Sequence, residues 1–244
     1  MTETISFPRQ LNGGPGFAQG GYLAGTMAEL VGGPARTTFR APTPIETPLN
    51  IERDGSSVRL VTSDGTIAVS AEPASVSIKV PPLPDRESIL AARVNYRAHN
   101  DAPDNAKAPE HTCFVCSPYR VKPDGVELHP SPVIPGELVA ALWVPEDQYA
   151  KIGVVTDRFT WAILDCPSGF GAMEAIAEPY DLIFTGQMAA ELLAPIHVGH
   201  EYIALGWPTG VNGRKISAAS AICDLDGNVK AVSDSLWIAT NPKP

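Results

Sequence analysis

TDRFTWAILDCPSGFGAM, Thr156 to Met173, sets one acidic side chain in the middle of an apolar run. Trp161, Ala162, Ile163 and Leu164 lead into Asp165, and Pro167, Gly169 and Gly171 follow. Phe159, Ile163, Phe170 and Met173 recur at helical spacing, which predicts a mostly buried helix. A buried carboxylate costs free energy unless it is paired or protonated, so Asp165 is the residue to explain. Local spacing leaves two readings open. Asp165 caps a helix that restarts near Pro167, or it is a carboxylate kept for chemistry.

Outward from this stretch the chain reads as two similar halves. In the first, Glu3 to Arg9 predicts a short strand, and NGGPG (Asn12 to Gly16) a turn. AQGGYLAGTMAELVGG (Ala18 to Gly33) predicts a helix that opens at Gly20-Gly21, groups Leu23, Met27, Leu30 and Val31, and stops at Gly32-Gly33-Pro34. TTFRAPTPI, PLNIER, SVRLVTS and TIAVSAEPA then read as strands, with turns at Asp54-Gly55 and Asp64-Gly65. Residues 81–109 are rich in Pro, Asn and Asp and predict a linker lying along the surface, with a short helix from Arg86 to Val94.

The second half repeats the plan. LVAALWVPE predicts a strand, the Asp165 stretch a helix, and GQMAAELLAPIHVGHEYIALGWPTG a long strand or strand pair. RKISAASAICDLDG and NVKAVSDSLWIAT follow turns at Asn212-Gly213 and Asp226-Gly227, and several strands alternate apolar and polar residues. Pro44-Ile45 and Pro195-Ile196 mark corresponding positions, as do Asp64-Gly65 and Asp226-Gly227. A strand–helix–strands unit occurring twice predicts an antiparallel sheet wrapped round a long helix.

Bulk composition narrows the function. The 244 residues suffice for one large domain or two small ones, and 44% hydrophobic with 18% charged residues suits a globular chain. A net charge of −9 argues against nucleic acid as the main partner. The 24 prolines form no PxxP array and read as turn and edge-strand markers. MTETISFPRQ lacks the basic and apolar regions of a signal peptide, and no apolar run nears the roughly 20 residues of a membrane span, so the expectation is cytoplasmic. Four cysteines are too few for a disulfide scaffold. Cys113 and Cys116 form a CxxC with His111 just upstream. Zinc needs further ligands, and Cys166, Cys223 and the scattered histidines lack knuckle spacing, so reduced thiols without metal are expected.

The repeat resembles the hotdog fold, and its duplication resembles a double-hotdog protein of the acyl-CoA thioesterase superfamily. CFVC, WAILDCPSGFG, FTGQMAAELLAPIHVGHEY and DLDGNVKAVSDSLWI carry the likeness; WAILDCPSGFG is similar to a thioesterase-like group found in actinobacteria. The resemblance implies an α+β double hotdog. Units at residues 1–80 and 110–244 are joined by the 81–109 linker into a pseudo-dimer, with their sheets continuous.

The resemblance also implies a site. In many hotdog thioesterases a glycine turn opening the helix polarises a thioester carbonyl through backbone N–H groups. A carboxylate about two turns along the partner's helix serves as nucleophile or base. Gln19-Gly20-Gly21 matches the turn, with Gln19 where histidine is common, while Ala28 occupies that half's carboxylate position and Glu29 is one residue off register. Asp165 matches the carboxylate in the second half, where the turn has become Thr156-Asp157-Arg158. One composite site is therefore complete and the other degenerate.

Asp165, Gly20 and Gly21 are the catalytic candidates; Gln19, Asn12 and Arg158 are the substrate-binding ones. Arg214 and Lys215 are further cations for coenzyme A phosphates. Blander roles are helix packing for Gly20-Gly21, caps for Asn12 and Gln19, and solvated cations for the basic residues. His197 and His200 read as strand residues outside the chemistry. No metal and no cofactor are implied. The implied function is hydrolysis of an acyl-CoA or other acyl thioester in lipid metabolism, compatible with a homo-oligomer. The alternative is a non-catalytic acyl-CoA or lipid-binding hotdog protein. A hotdog dehydratase fits less well, since neither helix carries a histidine beside the acid. GxSxG, HExxH and GxxxxGK[ST] are absent.

Overall fold

A computed structural model describes residues 3–100, with backbone only for 95–100, together with 112–176 and 183–240. The first half contributes β1 (Thr4–Ile5), α1 (Gly20–Val31), β2 (Ala35–Phe39), β3 (Leu49–Asp54), β4 (Ser57–Val61) and β5 (Ile67–Pro73). Next come α2 (Arg86–Asn100), β6 (Ser131–Ile134), β7 (Leu138–Trp143), β8 (Ala150–Lys151) and β9 (Val154–Val155). The rest is α3 (Asp157–Glu174), β10 (Ile183–Leu192), β11 (Tyr202–Asn212), β12 (Lys215–Asp224) and β13 (Val229–Ala239). Eleven strands form one sheet in the order β1-β3-β4-β5-β2-β10-β13-β12-β11-β7-β6. All of its pairings are antiparallel. The halves meet where Ala35–Thr38 of β2 pairs with Gln187–Ala190 of β10.

Backbone geometry fixes the register between the halves. Gln19 and Thr156 both stand as extended N-caps, so Ala28 and Asp165 each lie nine residues beyond their cap. Ahead of the caps, Phe17 bridges Pro44 and Val154 bridges His197. Two residues after each bridge the chain turns through a left-handed residue, Glu46 (φ 54°) or Gly199 (φ 74°). Pro44 therefore corresponds to His197, and Ala41-Pro42 to Ala194-Pro195. The Pro-Ile match of the sequence was out of step because a dipeptide does not record where a turn falls. The hairpin turns do correspond: Gly65 N–H donates to Thr62 O (3.0 Å), as Gly227 N–H does to Asp224 O (3.1 Å).

Helix α3 is sunk into the sheet. Twelve of its eighteen residues are buried, so it shows no single apolar stripe. Pro167 lies inside the continuous helix, and Asp165 is an interior residue, which overturns the N-cap reading. Proline has no N–H for the carbonyl four residues back; nearby, the strand hydroxyl of Ser220 donates to Leu164 O at 2.7 Å. Small residues permit the approach. A Cβ on Gly206 of β11 would lie 1.8 Å from Pro167 O, and one on Gly171 would lie 2.6 Å from Trp207 N. Ala204 and Ala218 keep the neighbouring strand surface shallow and are fully buried.

Helices α1 and α3 run antiparallel, Gly21 against Ala162 and Asp165, Gly25 against Arg158 and Trp161. Their side of the sheet buries Ala141, Trp143, Tyr202, Ala204 and Ile222 with Trp161 and Ile163. Intervening residues Ala140, Ile203, Leu205 and Ala221 pack against Val76 and Ile89 on the other face. The described part of the predicted linker packs on this face through Leu83 and Ile89, with α2 running from Arg86 to Asn100, beyond the Val94 expected; its residues 101–109 lie outside the described residues. Central strands buried on both faces explain why their polar alternation is weak. The expected Glu3–Arg9 strand shortens to Thr4–Ile5. His197 and His200 sit between β10 and β11 rather than on a strand.

Candidate active site

Helix α1 opens on Gln19, whose side-chain Oε1 accepts from Tyr22 N–H at 2.6 Å. Its backbone carbonyl accepts from Leu23 N–H at 3.0 Å. The same side chain reaches across the helix pair: Nε2 donates to Asp165 Oδ2 at 2.7 Å and to Ala162 O at 3.3 Å. Gln19 is therefore both cap and carboxylate clamp. The first-turn N–H groups that Gln19 does not take belong to Gly20 and Gly21, and that of Gly21 faces the Asp165 carboxylate.

Glycine is required by contact. A Cβ on Gly21 would stand 2.4 Å from Trp161 O and 2.6 Å from Asp165 Cβ. On Gly20 it would stand 2.8 Å from Thr185 Oγ1 and 3.2 Å from Asp165 Oδ2. Gly20 is half-buried, so the group opens toward solvent beside the carboxylate. Thr185 completes it, donating to Asp165 Oδ1 at 3.2 Å from a β10 bulge between Thr185 and Gln187. Sequence reading missed Thr185; Gly186 within an apolar strand was the available sign of a bulge.

Asp165 is 5% exposed and Gln19 1%. Burial pushes the Asp165 carboxyl up to about 7, and charge at Cys113 adds to this; Gly21 N–H and Thr185 act the other way. The thiols are the second feature the sequence concealed. Cys166, next along α3, lies 3.8 Å from Cys113 in sulfur–sulfur distance, and Gln19 Nε2 is 3.9 Å from Cys166 Sγ.

Asp165, Gly20, Gly21 and Gln19 are thus brought together from two halves of the chain. Asn12 and Arg158 are not. Asn12 Nδ2 donates to Thr112 Oγ1 at 2.8 Å, and its Oδ1 accepts from Arg120 at 2.6 Å, which ties the 112–120 segment to the first half. Arg158 lies seven residues before Asp165, about 10 Å along the helix. Its Nε donates to Glu29 Oε2 at 2.6 Å. The ion pair lies beside Ala28, the residue before Glu29 on α1. Glu29→Gln is expected to cost less than about 1 kcal/mol, because the pair is half exposed. Urea melts of both proteins measure it.

No family model matches the sequence, and no curated protein matches it. Solved structures do match in shape. A tesB protein of Mycobacterium avium subsp. paratuberculosis superposes with a TM-score of 0.62 at 12% identity, over 97% of this chain and 91% of that one. A proposed thioesterase of Novosphingobium aromaticivorans gives 0.59 at 14% identity, over 98% and 95%. A hot dog fold protein of Alicyclobacillus acidocaldarius gives 0.51 at 14% identity, over 98% and 93%. These likenesses show the fold: the chain is built as hotdog proteins are.

Proposed function

We propose that this chain is a thioester hydrolase acting on an acyl-CoA or related acyl thioester, with one composite site between two hotdog units at residues 1–80 and 110–244. The observation that carries this reading is the Asp165 carboxylate of α3 held by Gln19 Nε2 against the Gly20-Gly21 N-terminus of α1. A helix N-terminus offers N–H groups and the positive end of the dipole to developing oxyanion charge. A buried carboxylate beside it is placed to accept a proton from water as the water oxygen attacks the carbonyl carbon. Collapse of the tetrahedral intermediate breaks the carbon–sulfur bond, and the departing thiolate takes the proton back from Asp165. Products are a carboxylic acid and a thiol. The thioesterase neighbours in structure support the reaction class.

A second reading has one observation in its favour. Asp165 accepts from Gln19 and Thr185 and faces Gly21 N–H, so in this conformation the groups that would polarise a carbonyl are turned on the carboxylate itself. A non-catalytic acyl-CoA or lipid binder can keep that arrangement unchanged.

Thiol release across a panel of acyl-CoA thioesters separates the two readings. Hydrolysis of at least one panel member is expected, and Gly20→Val is expected to lower it at least about tenfold by filling the approach to the α1 terminus. Tight binding without release from any panel member would establish the binder.

A further inference from the structure

Spacing along the chain separates Cys166 from the Cys113–Cys116 pair, and the fold brings them together. Cys166, some fifty residues later, comes off α3 so that the three Sγ atoms all lie within 4.8 Å of one another. Tetrahedral zinc thiolates have Zn–S bonds of about 2.3 Å, which sets neighbouring sulfurs about 3.8 Å apart. Cys113 and Cys166 are 3.8 Å apart.

The CxxC turn has the features of a metal knuckle. Ser117 N–H donates to Cys113 O at 3.0 Å and closes the turn. The N–H groups of Val115 and Cys116 face Cys113 Sγ. The three donors come from one turn and one helix, and Cys166 is buried where α3 meets that turn.

We propose that Cys113, Cys116 and Cys166 bind one thiophilic divalent cation, zinc by the chemistry of its ligands, with solvent in the fourth position. The half-buried Cys113 and Cys116 leave that position accessible. Each ligating thiol releases its proton to solvent as it binds. The ion fastens the 112–128 segment to α3. That segment also holds the first half, through Phe114 N–H to Asn12 O at 3.0 Å and through Arg120. The ion thus sits behind the Asp165–Gln19 pair and organises the composite site from outside it. This role does not depend on whether the site hydrolyses thioesters.

The test is elemental analysis of the full chain purified without chelator or added metal. About one zinc per chain is expected, falling below about a tenth of that in Cys116→Ser and Cys166→Ser. Cys223→Ser, a buried thiol in the cluster on the opposite face of the sheet, should leave the content unchanged. Cobalt(II) substituted into the wild type should give sulfur-to-metal charge transfer and the intense visible bands of tetrahedral thiolate coordination. Cys116 lies on the turn, so its variant reports on the site even if Cys166→Ser fails to fold. A wild-type chain that is metal-free and gives an octahedral cobalt spectrum overturns the proposal. So does zinc retained in Cys116→Ser, or a disulfide joining Cys113 to either of the other two thiols in the protein as isolated.

Discussion

Asp165→Asn is expected to remove thioester turnover by about 10²–10⁴-fold, the usual contribution of a positioned general base. The carboxamide keeps the shape of the site. Its Oδ1 can accept from Gln19 Nε2, and its Nδ2 can donate to the Thr185 hydroxyl, replacing two observed contacts. It cannot take a proton from water or attack a carbonyl. Stability should not fall, because the substitution removes a group whose ionised form is opposed by burial. Thermal melting is therefore expected to be unchanged or higher while kcat collapses. A variant that melts like the wild type and still turns over normally would remove Asp165 from the chemistry. Loss of activity in Glu29→Gln instead would transfer the site to the other half.

Gly206→Ala should produce the largest loss of stability from one added methyl group. The new Cβ would fall 1.8 Å from Pro167 O, far inside van der Waals contact with a backbone carbonyl that has no rotamer by which to retreat. Helix α3 would have to lift from β11, and the small-residue surface that seats it would lose its contacts. Overpacking of a rigid core costs typically 1–3 kcal/mol, and this contact is backbone on backbone, so a cost above about 3 kcal/mol is expected. Gly210→Ala is the control on the same strand: its Cβ would meet nothing within 4 Å, and a change within about 0.5 kcal/mol is expected. Denaturant midpoints at equal m-values measure both. A small Gly206 effect would mean that α3 is free to move on the sheet, and the clamp on Asp165 with it.

The glycine turns illustrate what a local signal carries. Asp54-Gly55 and Asn212-Gly213 announced hairpins, and both glycines turn left-handed, at φ 60° and 57°. Gly32 announced the end of α1 and closes it at φ 92°, with its N–H on Ala28 O. Such features are set by backbone sterics within a few residues, so they survive without tertiary context. Arg158 shows the opposite case. Its positive charge made it a phosphate-binding candidate, and its partner Glu29 lies 129 positions away.

By itself the sequence determined the alternation of strands with two buried helices and the antiparallel pairing that its Asp-Gly turns demand. These follow from periodicity and turn chemistry, which act over short stretches of chain. Tertiary structure alone decided which polar groups meet. Gln19 reaches Asp165 across 146 positions because Gly21 lets two helices touch. Thr185 arrives through a bulge, and Cys166 turns toward Cys113 because consecutive helix residues point about 100° apart, so Asp165 and Cys166 face different neighbours. Those meetings depend on how closely α3 can sink into the sheet. That depth is a sum over many small side chains, and no single one of them records it.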